Sequence, residues 1–305
     1  MEFDFANIMI TAIIGLAGGL LGGLFGIGGS IIVIPLLSFV YGPNQQLYQA
    51  TAMLMNVAVS GSATLKHHLR GVIEKQMVTR LLPSALIGII LGVTLSNAVS
   101  PLMLQLIFAA FLTYIGLSEI ASAFGRNSDA STSAMHDTKA SVGLVSGVGG
   151  ITGLASGLLG IGGGTVIIPL LKRLCKFNMK QAIPASSATM LVTATVGATY
   201  KNLMLPELTS PTGEFLKISE SLSISVVLIP TGFLGSFLGA ELMHRLPMGV
   251  IKKLFAILLI LAAAKMASSA LADSMANSRP ETIQSQTTEA EDSSITQHQS
   301  VAGLR

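Results

Sequence analysis

Between residues 78 and 123 the chain carries two apolar segments, 78–98 and 101–123, each about as long as the ~20 residues that cross a bilayer as a helix. No other feature constrains the fold as tightly. In hydrocarbon every backbone N–H and C=O needs a partner within the protein, and only helices and closed barrels supply them throughout. Further apolar segments read at 8–24, 30–40, 47–65, 140–159, 164–171, 182–200, 221–243 and 247–271. Barrel strands need only about ten alternating residues, so the chain reads as an all-α, polytopic membrane protein. Composition agrees, with 11% charged residues against about 25% in soluble domains.

Two of these segments, 30–40 and 164–171, are too short to span, and each follows a glycine-rich phrase: "GLFGIGGSIIVIPLL" and "GLLGIGGGTVIIPLL". The duplication extends further. Gly26–Leu37 aligns with Gly160–Leu171 at an offset of 134 residues, Ala63-Thr64-Leu65-Lys66 with Ala198-Thr199-Tyr200-Lys201 at 135, and Pro83, Gly88 and Gly92 with Pro230, Gly235 and Gly239 at 147. The chain therefore divides into a first transmembrane repeat over 1–123, a polar linker over 124–138, a second repeat over 139–271 and a polar tail over 272–305. The tail is too poor in apolar residues to offset chain entropy, so it is expected to be disordered.

Charge sets the orientation. Lys66, Arg70, Lys75 and Arg80 follow the third segment of the first half, whereas Lys172, Arg173, Lys176 and Lys180 follow the glycine phrase of the second. The positive-inside rule places 66–80, 172–180 and the Arg245–Lys253 turn in the cytoplasm, and 41–46 and 202–220 outside. Segments 8–40 and 140–171 must then each cross an even number of times, as a two-span or re-entrant hairpin. Each half becomes a hairpin broken at a glycine turn plus three transmembrane helices, and the halves are inverted, an architecture of secondary transporters.

Irregular backbone within a bilayer is tolerated only where protein or a water-lined cavity covers it. Ser30 and Thr165 are expected N-caps for the second hairpin arms. If the arms are helical, their free amides and positive ends favour an anion near the midplane. The substrate-binding candidates are therefore Gly26, Gly28, Gly29 and Ser30 with Gly160, Gly162, Gly163, Gly164 and Thr165. Close helix packing is the competing meaning of the same glycines. A P-loop is excluded because no lysine precedes Ser30 or Thr165. Pro35 and Pro169 are expected to break the second arms, leaving helical and partly extended forms open.

Segment 47–65 carries Thr51, Asn56, Ser60, Ser62 and Thr64, and segment 182–200 carries Ser186, Ser187, Thr189, Thr193, Thr195 and Thr199. Thr51, Asn56, Ser186 and Ser187 are the stronger site candidates, with Thr51 aligned to Ser186; the remainder read as interhelical glue. Lys66 and Lys201 occupy equivalent helix ends, where snorkelling to the interface is the default role and electrostatic gating the alternative. Glu119, Glu241 and Lys265 lie near segment ends and read as solvated. His67 and His68 lack carboxylate or cysteine partners for a metal, and Cys175 reads as inert. No metal, cofactor, nucleic-acid partner or enzymatic cluster is expected; the expected partners are a small anion and the bilayer, with a homodimer left open.

The two glycine phrases are each followed by a Ser/Thr-rich helix, "YQATAMLMNVAVSGSATLK" or "IPASSATMLVTATVGATYK", and then by a Pro-x4-Gly-x3-Gly helix. In this the chain resembles the sulfite exporter TauE/SafE family of membrane permeases over about residues 8–268. The resemblance implies transport of small sulfur-containing anions, sulfite or sulfonates, chiefly outward across the plasma or inner membrane. Ser30 departs from the fuller glycine run. An anion channel and an importer coupled to an ion gradient are the alternatives.

Overall fold

The computed structural model describes residues 4–124, 141–177, 179–210, 213–242 and 248–277. Among these it is all-helical, with ten α-helices: α1 Phe5–Phe25, α2 Ser30–Tyr41, α3 Gln45–Leu69, α4 Lys75–Ala98, α5 Pro101–Phe124, α6 Val142–Leu159, α7 Gly164–Arg173, α8 Met179–Met204, α9 Ile218–Leu242 and α10 Met248–Asn277. Every apolar segment read from the sequence corresponds to one of them. Residues up to Ala267 form one compact unit, and a second begins at Ser268. The helix α10 runs six residues beyond the expected end of the second repeat at 271, to Asn277. Most of the linker and of the expected disordered tail, and part of the Arg245–Lys253 turn, lie outside the described residues.

Among the described residues, six helices are long and apolar enough to cross a membrane: α1, α4, α5, α6, α9 and the Lys253–Ala272 part of α10. Large apolar side chains such as Ile87, Leu91, Phe237 and Leu261 remain exposed on them, as a lipid-facing surface requires. The polar helices α3 and α8 are as long but lie against each other and against α9 and α4. Many of their hydroxyls face protein, as where Ser62 Oγ donates to Ser236 Oγ on α9 at 3.0 Å, while Thr195 and Thr199 of α8 are exposed. Low hydropathy in these two helices thus reflects position within the bundle.

Both second arms are helical. Pro35 and Pro169 lie inside α2 and α7, which corrects the expectation that they break these arms. A proline removes one main-chain bond, and close-packed neighbours hold the rest of so short a helix. Ile31, Ile32, Val33 and Ile34 are each at most 1% exposed, so the N-terminal part of α2 is sheathed on every side. Gly29 and Gly163 are the N-caps, whereas Ser30 opens α2 and Thr165 is the second residue of α7. Gly163 has φ +91°, a conformation that an ordinary N-cap serine or threonine rarely adopts.

Helices from opposite halves pair reciprocally. Gly15, Gly19 and Gly23 of α1 lie against Leu228, Gly232 and Ser236 of α9, so the two run parallel. Gly149, Gly153 and Gly157 of α6 lie against Leu81, Ala85 and Ile89 of α4 in the same sense. Backbones touch along both seams, which is the close approach that small residues allow in membranes. By contrast α3 and α8 run antiparallel, since Gly61 meets Leu191 while Gly197 meets Met53.

Candidate functional site

Both hairpins leave their first arm in the same way but differ at the following N-cap, where Gly29 has φ −86° and Gly163 φ +91°. The helices α1 and α6 end at Gly26 and Gly160, left-handed with φ 67° and 71°, whose amides close on Gly22 O and Ser156 O. The chain then passes through Gly28 and Gly162, and α2 and α7 begin two residues later. The turns abut: a Cβ on Gly164 would lie 2.9 Å from Gly26 O and 2.9 Å from Ile27 Cα. Each turn is also braced by the other half, Gly26 by Ile183 on α8 and Gly160 by Gln49 on α3.

Asn56 and Met190 line the junction. A Cβ on Gly28 would lie 3.1 Å from Asn56 Oδ1 and 3.3 Å from Met190 Sδ; on Gly162 it would lie 2.6 Å from Asn56 Nδ2 and 3.2 Å from Met190 Sδ. The Asn56 amide is spent on the first turn. Gly29 N and Ser30 N donate to Asn56 Oδ1 at 3.0 and 3.3 Å, and Asn56 Nδ2 donates to Ser30 Oγ at 2.8 Å. A side chain 26 residues away thus does the capping expected of Ser30 itself. Ser30, Asn56 and Met190 are all buried.

The other candidates disperse. Thr51 Oγ1 donates to Leu47 O at 2.8 Å and lies 3.3 Å from Ser221 Oγ on α9. Ser187 Oγ donates to Pro184 O at 3.0 Å. The hydroxyls of Thr165 and Ser186 are buried and have no hydrogen-bond partner. Contacts at the turns pair Gln49 with Ile183 and Asn56 with Met190, an offset of 134 residues, rather than the 135 that paired Thr51 with Ser186.

The two equivalent lysines differ. Lys66 Nζ lies 4.0 Å from the Phe237 ring centroid and 4.0 Å from Glu241 Oε2. Its side chain keeps 22% exposure, consistent with a snorkelling position. Lys201 is fully buried instead, so snorkelling does not describe it. Lys201 Nζ donates to Gln46 Oε1, to Ser96 Oγ at 2.9 Å and to Asn97 Oδ1 at 2.7 Å. Ser96 Oγ donates to Gln49 Oε1 at 2.9 Å, and Gln49 Nε2 to Leu158 O at 3.1 Å. One polar chain therefore joins the end of α8 to the second glycine turn. Gln46, Gln49, Ser96 and Met190 are not singled out by the sequence; glutamines three apart at the start of a bilayer-length helix are the available signal for the first two.

Lys201→Met is expected to leave the buried Gln46 Oε1 and Ser96 Oγ and the part-buried Asn97 Oδ1 without their donor, at roughly 1–3 kcal/mol for such a loss. Thermal unfolding in detergent should show a clear fall in Tm; an unchanged Tm would remove this cluster from the account. Cys175 is 2% exposed, and burial pushes its thiol up, as its inert reading anticipates.

The sequence model of the sulfite exporter TauE/SafE family matches residues 11–266. The chain belongs to this family. Among relatives of the TauE/SafE chain, a "Probable membrane transporter protein" of Haemophilus influenzae is 29% identical over 86% of this chain and 98% of its own length. "Probable membrane transporter protein MJ0441" of Methanocaldococcus jannaschii is 28% identical over 75% of this chain and 83% of its own. "Probable membrane transporter protein MamO" of Paramagnetospirillum magneticum is 24% identical over 88% of this chain. The chain spans 45% of that MamO protein's length. No solved structure matches. The chain is a multi-pass member of the TauE/SafE family.

Proposed function

We propose that this transporter is a permease for small sulfur-containing anions, sulfite or organosulfonates, working outward across the plasma or inner membrane by alternating access. The observation that carries the reading is the contact between the two glycine turns, which brings together the N-termini of two short helices whose positive ends favour an anion. The arms α2 and α7 have 12 and 10 residues, hence lengths of about 18 and 15 Å. Each reaches roughly halfway through a ~30 Å hydrocarbon core, which supports a site at the midplane. Antiparallel α3 and α8, with the reciprocal parallel pairs α1–α9 and α4–α6, support inverted repeats. The family's name supplies sulfite as the first substrate to test; the relatives' names specify none.

With the cell interior negative, outward movement of an anion gains about 2.3 kcal/mol per charge per 100 mV. Export therefore proceeds without a coupling ion. Lys201 lies on the polar chain that ends at the second turn, within the path proposed for the anion. Liposomes holding the purified full chain and loaded with sulfite, methanesulfonate or sulfate should show saturable, slow efflux of the first two. Unitary currents would make the protein a channel. Accumulation that depends on an imposed pH or sodium gradient would make it a coupled importer.

A further inference from the structure

The two glycine turns look interchangeable in sequence, yet their polar groups are disposed differently. At the first, the amides of Gly29 and Ser30 and the Ser30 hydroxyl all engage the Asn56 side chain. At the second, the corresponding positions are Gly164 for Ser30 and Met190 for Asn56, at the offset of 134 that the turn contacts follow. Neither replacement offers a hydrogen-bonding side chain of the same kind. Gly163 carries no side chain of its own, and among the described residues no side chain accepts from the Gly163 or Gly164 amide as Asn56 does from those of Gly29 and Ser30.

Two buried hydroxyls without a partner lie on α7 and on the neighbouring α8. Thr165, 4% exposed, sits in the opening turn of α7, and its Oγ1 has no partner. At the second position of a helix there is no preceding helical carbonyl for it to bond back to, unlike Thr152, Thr189 and Thr193, which donate to residues four before them. Ser186, fully buried on α8, which packs along α7, is also without a partner. Buried polar groups in native proteins are nearly always satisfied. An acceptor is missing here, and a small oxyanion supplies several.

We propose that the anion is held by the second turn alone, with the N-terminus of α7, Thr165 Oγ1 and Ser186 Oγ as donors, while Asn56 closes the first turn as a structural cap. The ligand class is a compact oxyanion such as sulfite or the sulfonate head of a small sulfonate, whose oxygens match clustered amide and hydroxyl donors. This rests on the reading of the protein as an anion permease. It adds that the methionine at 190 keeps the site open, because an amide there would cap α7 as Asn56 caps α2.

The test is saturation binding of radiolabelled sulfite, and separately of methanesulfonate, to the purified full chain in detergent, with size-exclusion monodispersity as the check on folding. Thr165→Val, which replaces the hydroxyl with a methyl of similar size, is expected to weaken binding about tenfold or more, the loss of one charge-assisted bond. Thr165→Ser should recover most of that affinity. Met190→Asn should fold, occupy the α7 amides with its own carbonyl and weaken binding at least as much. If the wild type binds saturably and both T165V and M190N stay within twofold of it, the second-turn site is wrong while the permease reading stands. If the wild type binds neither probe, the permease reading for sulfur oxyanions falls and this inference with it.

Discussion

Valine at Gly19 is expected to leave little monodisperse protein after extraction, and valine at Gly153 the same. A Cβ on Gly19 collides with Gly232 O and comes within 2.8 Å of Gly232 C and Cα; on Gly153 it collides with Ala85 O and comes within 2.9 Å of Ile89 N. These obstacles are backbone, so no rotamer change relieves them. Overpacking a core with movable side chains costs about 1–3 kcal/mol, and these sites should exceed that range, against a total stability of about 5–15 kcal/mol. Fluorescence-detected size exclusion would read the loss. Wild-type profiles for both variants would mean that the α1–α9 and α4–α6 seams are not packed as described.

The second large effect is expected at Asn56, where two substitutions separate structure from transport. Leucine removes the acceptor for Gly29 N and Ser30 N and the donor to Ser30 Oγ, stranding three buried groups at about 1–3 kcal/mol each before relaxation. Asn56→Leu should therefore lower Tm strongly. Asn56→Asp keeps an acceptor for both amides but sets a negative charge against Gly28 and Gly162. Two like charges 4 Å apart repel by about 4 kcal/mol at an effective dielectric of 20, so flux should fall about 100-fold or more at pH 8. Burial disfavours the charged carboxylate, and protonation removes the repulsion. The N56D defect should accordingly shrink as pH falls, whereas a defect independent of pH between 5 and 8 would assign Asn56 a purely steric role.

The fold was readable to a large degree because membrane physics writes it in long apolar segments. All ten helices follow from them, and the duplicated phrase marks both turns. What could not be read depends on which helix faces which. Lys201 stands at a helix end, where snorkelling is the default; only the antiparallel α3–α8 pair, with α4 beside it, surrounds it by Gln46, Ser96 and Asn97. Thr51, Asn56 and Ser186 look alike as polar residues in polar helices. A one-residue change of alignment rotates a helix position by about 100°, which is enough to pair Thr51 with Ser186 on paper while the turn contacts pair Asn56 with Met190. The prolines misled for a related reason: the rule that they break helices holds for isolated segments, and α2 is not isolated.

The central claim is that a small anion occupies the junction of the two glycine turns. Selenite is an electron-dense analogue of sulfite, and a structure of the full chain solved with it bound tests the claim most directly. The account predicts a density peak at that junction, within hydrogen-bonding reach of the Thr165 hydroxyl and the first amides of α7. Selenite bound elsewhere in the protein, with the junction empty and sulfite flux intact, would contradict it.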